Sequence, residues 1–146
     1  MLNILALTVT ALFVVPWPVS TESIDCSEVD GQAATVWSHP TRPELVAVLC
    51  RHDPLPGWWD SLWIVETASG EAPRIIEVPL HGTEVAHFSW LDCPGPPLAH
   101  VVDRTHMGTT TDRVWRIEAG GRVQLVESSR LPRGVLNVRR HVPCLP

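Results

Sequence analysis

Lysine and tyrosine are missing altogether. All 11 basic residues are arginines, set against 16 acidic ones for a formal net charge of −5. We read the missing residue types as base composition of the coding DNA rather than as function. The charge balance excludes a class of partner, because nucleic-acid binding needs a basic face for phosphates. Only Arg130, Arg133, Arg139 and Arg140 gather, near the end, and they read as a solvated strand edge in preference to an anion site.

No apolar run is long enough to cross a membrane as a helix. Leu2 to Val15 falls short of the ~20 residues a span needs. It suits the h-region of a signal peptide, with Pro16-Trp17-Pro18 as a helix breaker and Ser20 or Ser23 before the cleavage point. The n-region carries no Lys or Arg, so the competing readings are a buried first strand or a misplaced start codon. No cysteine lies near Ser20 in a lipobox-like context, which speaks against a stable membrane anchor. The expectation is a signal peptide over 1–20 and a secreted or periplasmic domain over 21–146.

Motifs of chemistry are also missing. The chain has no Gly-x-Ser-x-Gly elbow, phosphate loop, dinucleotide fingerprint or EF-hand spacing. His81, Glu84 and His87 share an H-x-x-acid-x-x-H spacing with His100, Asp103 and His106. Steps of three along a strand change face each time, so neither trio converges on a metal. We expect no metal, no cofactor and no enzyme activity.

What the chain does have is a repeat. Ala34-Thr35-Val36-Trp37-Ser38 is answered by Val85-Ala86-His87-Phe88-Ser89, and Leu45-Val46-Ala47-Val48-Leu49 by Leu98-Ala99-His100-Val101-Val102. Asp60-Ser61-Leu62-Trp63-Ile64-Val65-Glu66 is answered by Asp112-Arg113-Val114-Trp115-Arg116-Ile117-Glu118. An offset of about 50 residues points to repeated antiparallel sheets, each needing a neighbour to cover its face. No helical period follows residue 20, and 14 prolines favour turns and edges.

The fold expected is all-β, with two four-stranded antiparallel units at about 34–78 and 85–127. The strands of the first unit fall at Ala34 to Ser38, Leu45 to Arg51, Leu62 to Glu66 and Arg74 to Val78. Those of the second fall at Val85 to Trp90, Pro97 to Asp103, Arg113 to Glu118 and Arg122 to Glu127. Gly134 to Arg140 reads as the first strand of a third unit.

The pattern resembles the TolB-type, or PD40, WD40-like β-propeller repeat. The resemblance rests on Ala86-His87-Phe88-Ser89, Leu98-Ala99-His100-Val101-Val102, Asp112 to Ile117 and the Gly120-Gly121 turn. The family's Pro-Asp-Gly is replaced by His39-Pro40-Thr41-Arg42-Pro43 and by Leu91 to Pro96. The resemblance implies a scaffold for protein contacts, with no catalytic residue to carry over. Two units do not close a propeller, which takes typically four to eight blades. The alternatives are a homo-oligomeric ring, a truncated fragment of a longer propeller, or two sheets packed as an open arc or sandwich. The last buries two apolar faces with the fewest parts.

Four cysteines in an exported chain imply two disulfides, with three possible connectivities. The repeat register places Cys26 and Cys50 at one end of the strands and Cys93 and Cys144 at the other. That pairs Cys26 with Cys50 and Cys93 with Cys144.

Trp37, Trp63 and Trp115 read as core, and Trp90 as ambiguous. Trp58 and Trp59 sit in the expected loop Arg51 to Ser61, where one of two adjacent rings is buried and the other free. An exposed Trp is a typical interface anchor, so a protein partner is expected. The binding candidates are His52, Trp58, Trp59 and Asp60, with Arg104 and His106 from the loop Arg104 to Asp112. The competing class is a small hydrolase or glycan-binding protein using the Trp58-Trp59 loop with His52 and Asp53.

Overall fold

The computed structural model describes Cys26, residues 32–52, 59–68 and 70–132, and Cys144. The strands in chain order are β1 (Gln32–Ser38), β2 (Leu45–His52), β3 (Trp59–Glu66) and β4 (Arg74–Val78), then β5 (Glu84–Leu91), β6 (Leu98–Arg104), β7 (Thr110–Glu118) and β8 (Arg122–Leu131). They form two antiparallel sheets, each in sequence order, and among the described residues no strand links one sheet's ladder to the other's. The fold is therefore all-β with two four-stranded units, as the repeat predicts. The strand expected over Gly134 to Arg140 lies outside the described residues, as does the segment 1–20.

Alternation decides which side chains meet. In β2, Leu45, Ala47 and Leu49 face one way and Val46, Val48 and Cys50 the other, and both sets are buried. The first set joins Leu62 and Ile64 of β3, and Phe88, Val101 and Trp115 of the second sheet, in a single core between the sheets. The second set joins Cys26, Val65 and Trp63 in a smaller cluster on the outward face of the first sheet. Each fully buried Leu or Ile stabilises by about 1.5–3 kcal/mol, so the intersheet core dominates.

Backbone chirality reveals how the sheets meet. A residue's N–H and side chain keep a fixed handed relation along a strand, so the ladder direction identifies the face. In β7 the core-facing Ile117 donates its N–H toward the β6 side, to Pro97 O at 2.9 Å. After β3 the donor toward the β2 side is Thr67, to Glu44 O at 2.9 Å, and Thr67 continues the outward set of Trp63 and Val65. The sheets therefore stack head to tail, through opposite faces. The outward face of the second sheet is buried too, at Leu98, His100, Val102 and Val114.

Both disulfides expected from the register are present, Cys26–Cys50 and Cys93–Cys144, with Cα separations of 5.8 and 5.4 Å. Two disulfides mark an oxidising compartment, outside the reducing cytosol. Among the described residues no helix is long and apolar enough to cross a membrane.

Two expectations need correction. The expected loop Arg51 to Ser61 is shorter than predicted, because β2 runs on to His52 and β3 begins at Trp59. The expected loop Arg104 to Asp112 likewise loses Thr110, Thr111 and Asp112 to β7. Cross-strand pairing extends the ladders past the polar residues that read as loop.

Candidate functional site

The register at the start of β3 sorts the sequence candidates onto two faces. His52 pairs with Trp59 and Arg51 with Asp60. His52 and Trp59 lie on the outward face, where cross-strand neighbours stand close enough to touch. Their rings stack at 4.9 Å with 13° between planes. His52 is buried, and its Nε2 lies 3.2 Å from Ser61 Oγ. Trp59 remains 46% exposed. The arrangement is a free indole held on a fixed imidazole. Trp58, its neighbour, lies outside the described residues, as does Asp53.

Asp60 belongs to the opposite face and is structural. Its side chain is buried, accepts from Arg51 Nε at 3.0 Å and Arg51 Nη2 at 3.3 Å, and takes the Val85 N–H at 2.9 Å. The hydrogen bond to Asp60 is the main cause raising the Arg51 pKa above its ordinary value. Asp60 thus fixes the start of β5 to the first sheet instead of facing a ligand. Arg104 is similarly committed, through Nε and Nη2 to Glu84 Oε2 at 3.2 and 2.7 Å. His106 is exposed in the turn after β6. The five described binding candidates do not converge on one surface.

The tryptophans expected in the core divide between the two clusters. Trp115 is buried between the sheets, Trp37 packs on that core, and Trp63 lies half-buried on the outward cluster. Trp90 also packs between the sheets, and its Nε1 donates to Trp37 O at 3.0 Å.

Sequence reasoning missed a polar chain on the outward face of the second sheet. His100 Nε2 lies 2.8 Å from Asp112 Oδ1, and both are buried. The His87 ring sits 5.4 Å from that of His100, and His87 Nε2 lies 3.3 Å from Ser89 Oγ. Desolvation, then the neighbouring His100, lowers the His87 pKa below its ordinary value. The pairing of His100 beside Val114 on adjacent strands leaves its ring within reach of Asp112, a relation that spacing along one strand does not reveal. Among the described residues no group of three His, Cys, Asp or Glu side chains converges to hold a metal.

An enzyme needs a cavity in which such groups meet a substrate. One cavity of about 310 Å³ opens at the turn end of the sheets, among Arg42, Glu44, Glu66 and Glu118, with no histidine in its wall. A second, of about 330 Å³, is lined by His81, Thr111, Arg113, Leu125, Ser128 and Arg130, with no carboxylate. Neither contains the His100–Asp112 pair or the Trp59–His52 stack.

The sequence matches no family model, and no curated protein and no solved structure matches it either.

Proposed function

We propose that the chain is an exported, non-enzymatic binding module: a secreted or periplasmic β-repeat domain that docks a protein partner at the start of β3. The observation that carries this reading is Trp59, a half-exposed indole stacked at 4.9 Å on a buried histidine. Large aromatics fixed in one orientation give wide contact area at little entropic cost on binding. His52 supplies the fixing, and Ser61 holds His52. The two disulfides support export, and the resemblance to TolB-type repeats agrees with a scaffold for protein contacts. The hydrolase alternative, which pairs His52 with Asp53, has less support, because His52 is buried against Ser61.

The test is a pull-down from the exported fraction with the mature wild-type chain and with Trp59→Ala, matched for stability. A partner retained by the wild type and weakened by about 2 kcal/mol in the variant is the expected result. Equal retention by both would remove Trp59 from the interface. Retention of glycans in place of protein would favour sugar stacking on the indole.

A further inference from the structure

We propose that the cavity between β7, β8 and the β4–β5 connection binds a small organic oxyanion, a carboxylate or a phosphate ester. Register builds it. Thr111 pairs with Arg130 and Arg113 with Ser128 across β7 and β8, so the four side chains share one face. His81, from the connection, closes the opposite side, and Leu125 adds an apolar wall. The cavity measures about 330 Å³, within the size of small-ligand sites.

The chemistry of the wall is one-sided. It offers two guanidinium groups, two hydroxyls and an imidazole, and not one carboxylate, in a chain whose net charge is −5. Arg113 is held rigid from behind: its Nη2 donates to Asp103 Oδ2 at 2.7 Å. That same oxygen accepts the N–H groups of His81 and Gly82. All three donors converge on that one oxygen, which anchors Arg113, while Asp103 Oδ1 is buried without a partner. Among the described residues Arg130 forms no ion pair and stands in the wall as a free charge.

Two buried atoms in the wall lack a partner: Thr111 Oγ1 and Arg113 Nε. Thr111 is more than nine-tenths buried. A buried donor left unpaired costs about 1–3 kcal/mol, and an oxyanion supplies acceptors for both at once. Guanidinium is the group best matched to two-oxygen anions. The site is distinct from the Trp59 surface, which belongs to the outward face of the first sheet.

The full mature chain is titrated with phenyl phosphate, inorganic phosphate and acetate at constant ionic strength, chloride being the balancing ion. The readouts are calorimetry and the NMR signal of Arg113 Nε–H. Arg130 is exposed at the cavity mouth, so Arg130→Gln leaves the fold intact. The expected result is saturable binding of phenyl phosphate or acetate, a shifted Arg113 Nε–H, and affinity weakened roughly tenfold or more by Arg130→Gln, the loss of one charge-assisted hydrogen bond. The ranking of the three anions identifies which group the site prefers. Trp59→Ala leaves this binding unchanged even where it abolishes partner capture. Absence of saturation with all three anions, or equal affinity in Arg130→Gln, overturns the proposal.

Discussion

The carboxylate of Asp60, on β3 of the first sheet, accepts the backbone N–H of Val85 on β5 of the second at 2.9 Å. It is a direct polar tie across the junction of two sheets that otherwise share mainly apolar contacts. Asp60→Ala strands a buried N–H, while Arg51, which is half-exposed, finds water instead. We expect a loss of about 2 kcal/mol, set by the unsatisfied N–H, measured by urea unfolding. A loss below a few tenths would show that Asp60 does not secure the junction.

Gly82 sits where the connection between the sheets crosses the end of β6. A Cβ there would stand 2.3 Å from the backbone C and O of Arg104. Backbone cannot move aside as a flexible side chain does, so Gly82→Ala forces the two segments apart. The expected destabilisation is about 3 kcal/mol, at the upper end for overpacking, with Asp103 losing its hold on the connection. A thermal midpoint equal to that of the wild type would contradict the close approach.

The disulfides enclose 24 and 51 residues of sequence separation. Chain entropy gives about 3 and about 4 kcal/mol respectively. Non-reducing peptide mapping should return Cys26 with Cys50 and Cys93 with Cys144. A peptide linking Cys50 to Cys93 would break the strand register itself.

Two histidines make the fold acid-sensitive. Burial, then Arg42, lowers the His39 pKa below 6.5, and its Nδ1 accepts the N–H groups of Thr41 and Arg42 at 3.2 and 3.1 Å. Burial, then His100, lowers His87 in the same direction. At these two sites the unfolded chain therefore binds protons more readily than the folded one. Their contribution to stability is complete above the unfolded value of 6.5 and declines as the pH falls through it toward the lower folded values. His39→Asn preserves an acceptor for the turn without the titration. It should flatten part of that decline in unfolding measured between pH 7 and pH 5, and an unchanged slope would clear His39.

The strands were legible because Val, Ile, Leu and Trp alternate between proline and glycine punctuation. Gly120 and Gly121, both at positive φ, end β7 where the repeat places a turn. The exact equivalence of the units was less legible. The sequence aligns Trp37 with Phe88, yet Trp37 pairs with Ala47 and Phe88 with Val101. Bulges that skip positions 34 and 86 set the first strands 52 apart, so the aligned rings face each other across the core at 4.8 Å. The cavity site was illegible for a different reason. Thr111 and Arg113 alternate on one strand and Ser128 and Arg130 on the next, a pattern that reads as a solvated edge until His81 is brought over it. Asp60 misread as a ligand residue because polar residues near a turn look alike whether they face solvent or a neighbouring backbone.

Head-to-tail stacking has no natural stopping point: each unit that accepts a neighbour on one face offers another face to the next, as in an open filament. The two described units are a short length of such a stack, and their outward faces are buried, at Val46, Val48 and Val65 on the first sheet and at Leu98, Val102 and Val114 on the second. Cys26–Cys50 fastens chain onto the outward cluster of the first sheet, and Cys93–Cys144 fastens chain at the turn after β5 of the second. Reduction that uncovered an outward face would let such a stack grow. Oxidised protein should keep one size at every concentration in light scattering, whereas reduced protein should lengthen as it is concentrated.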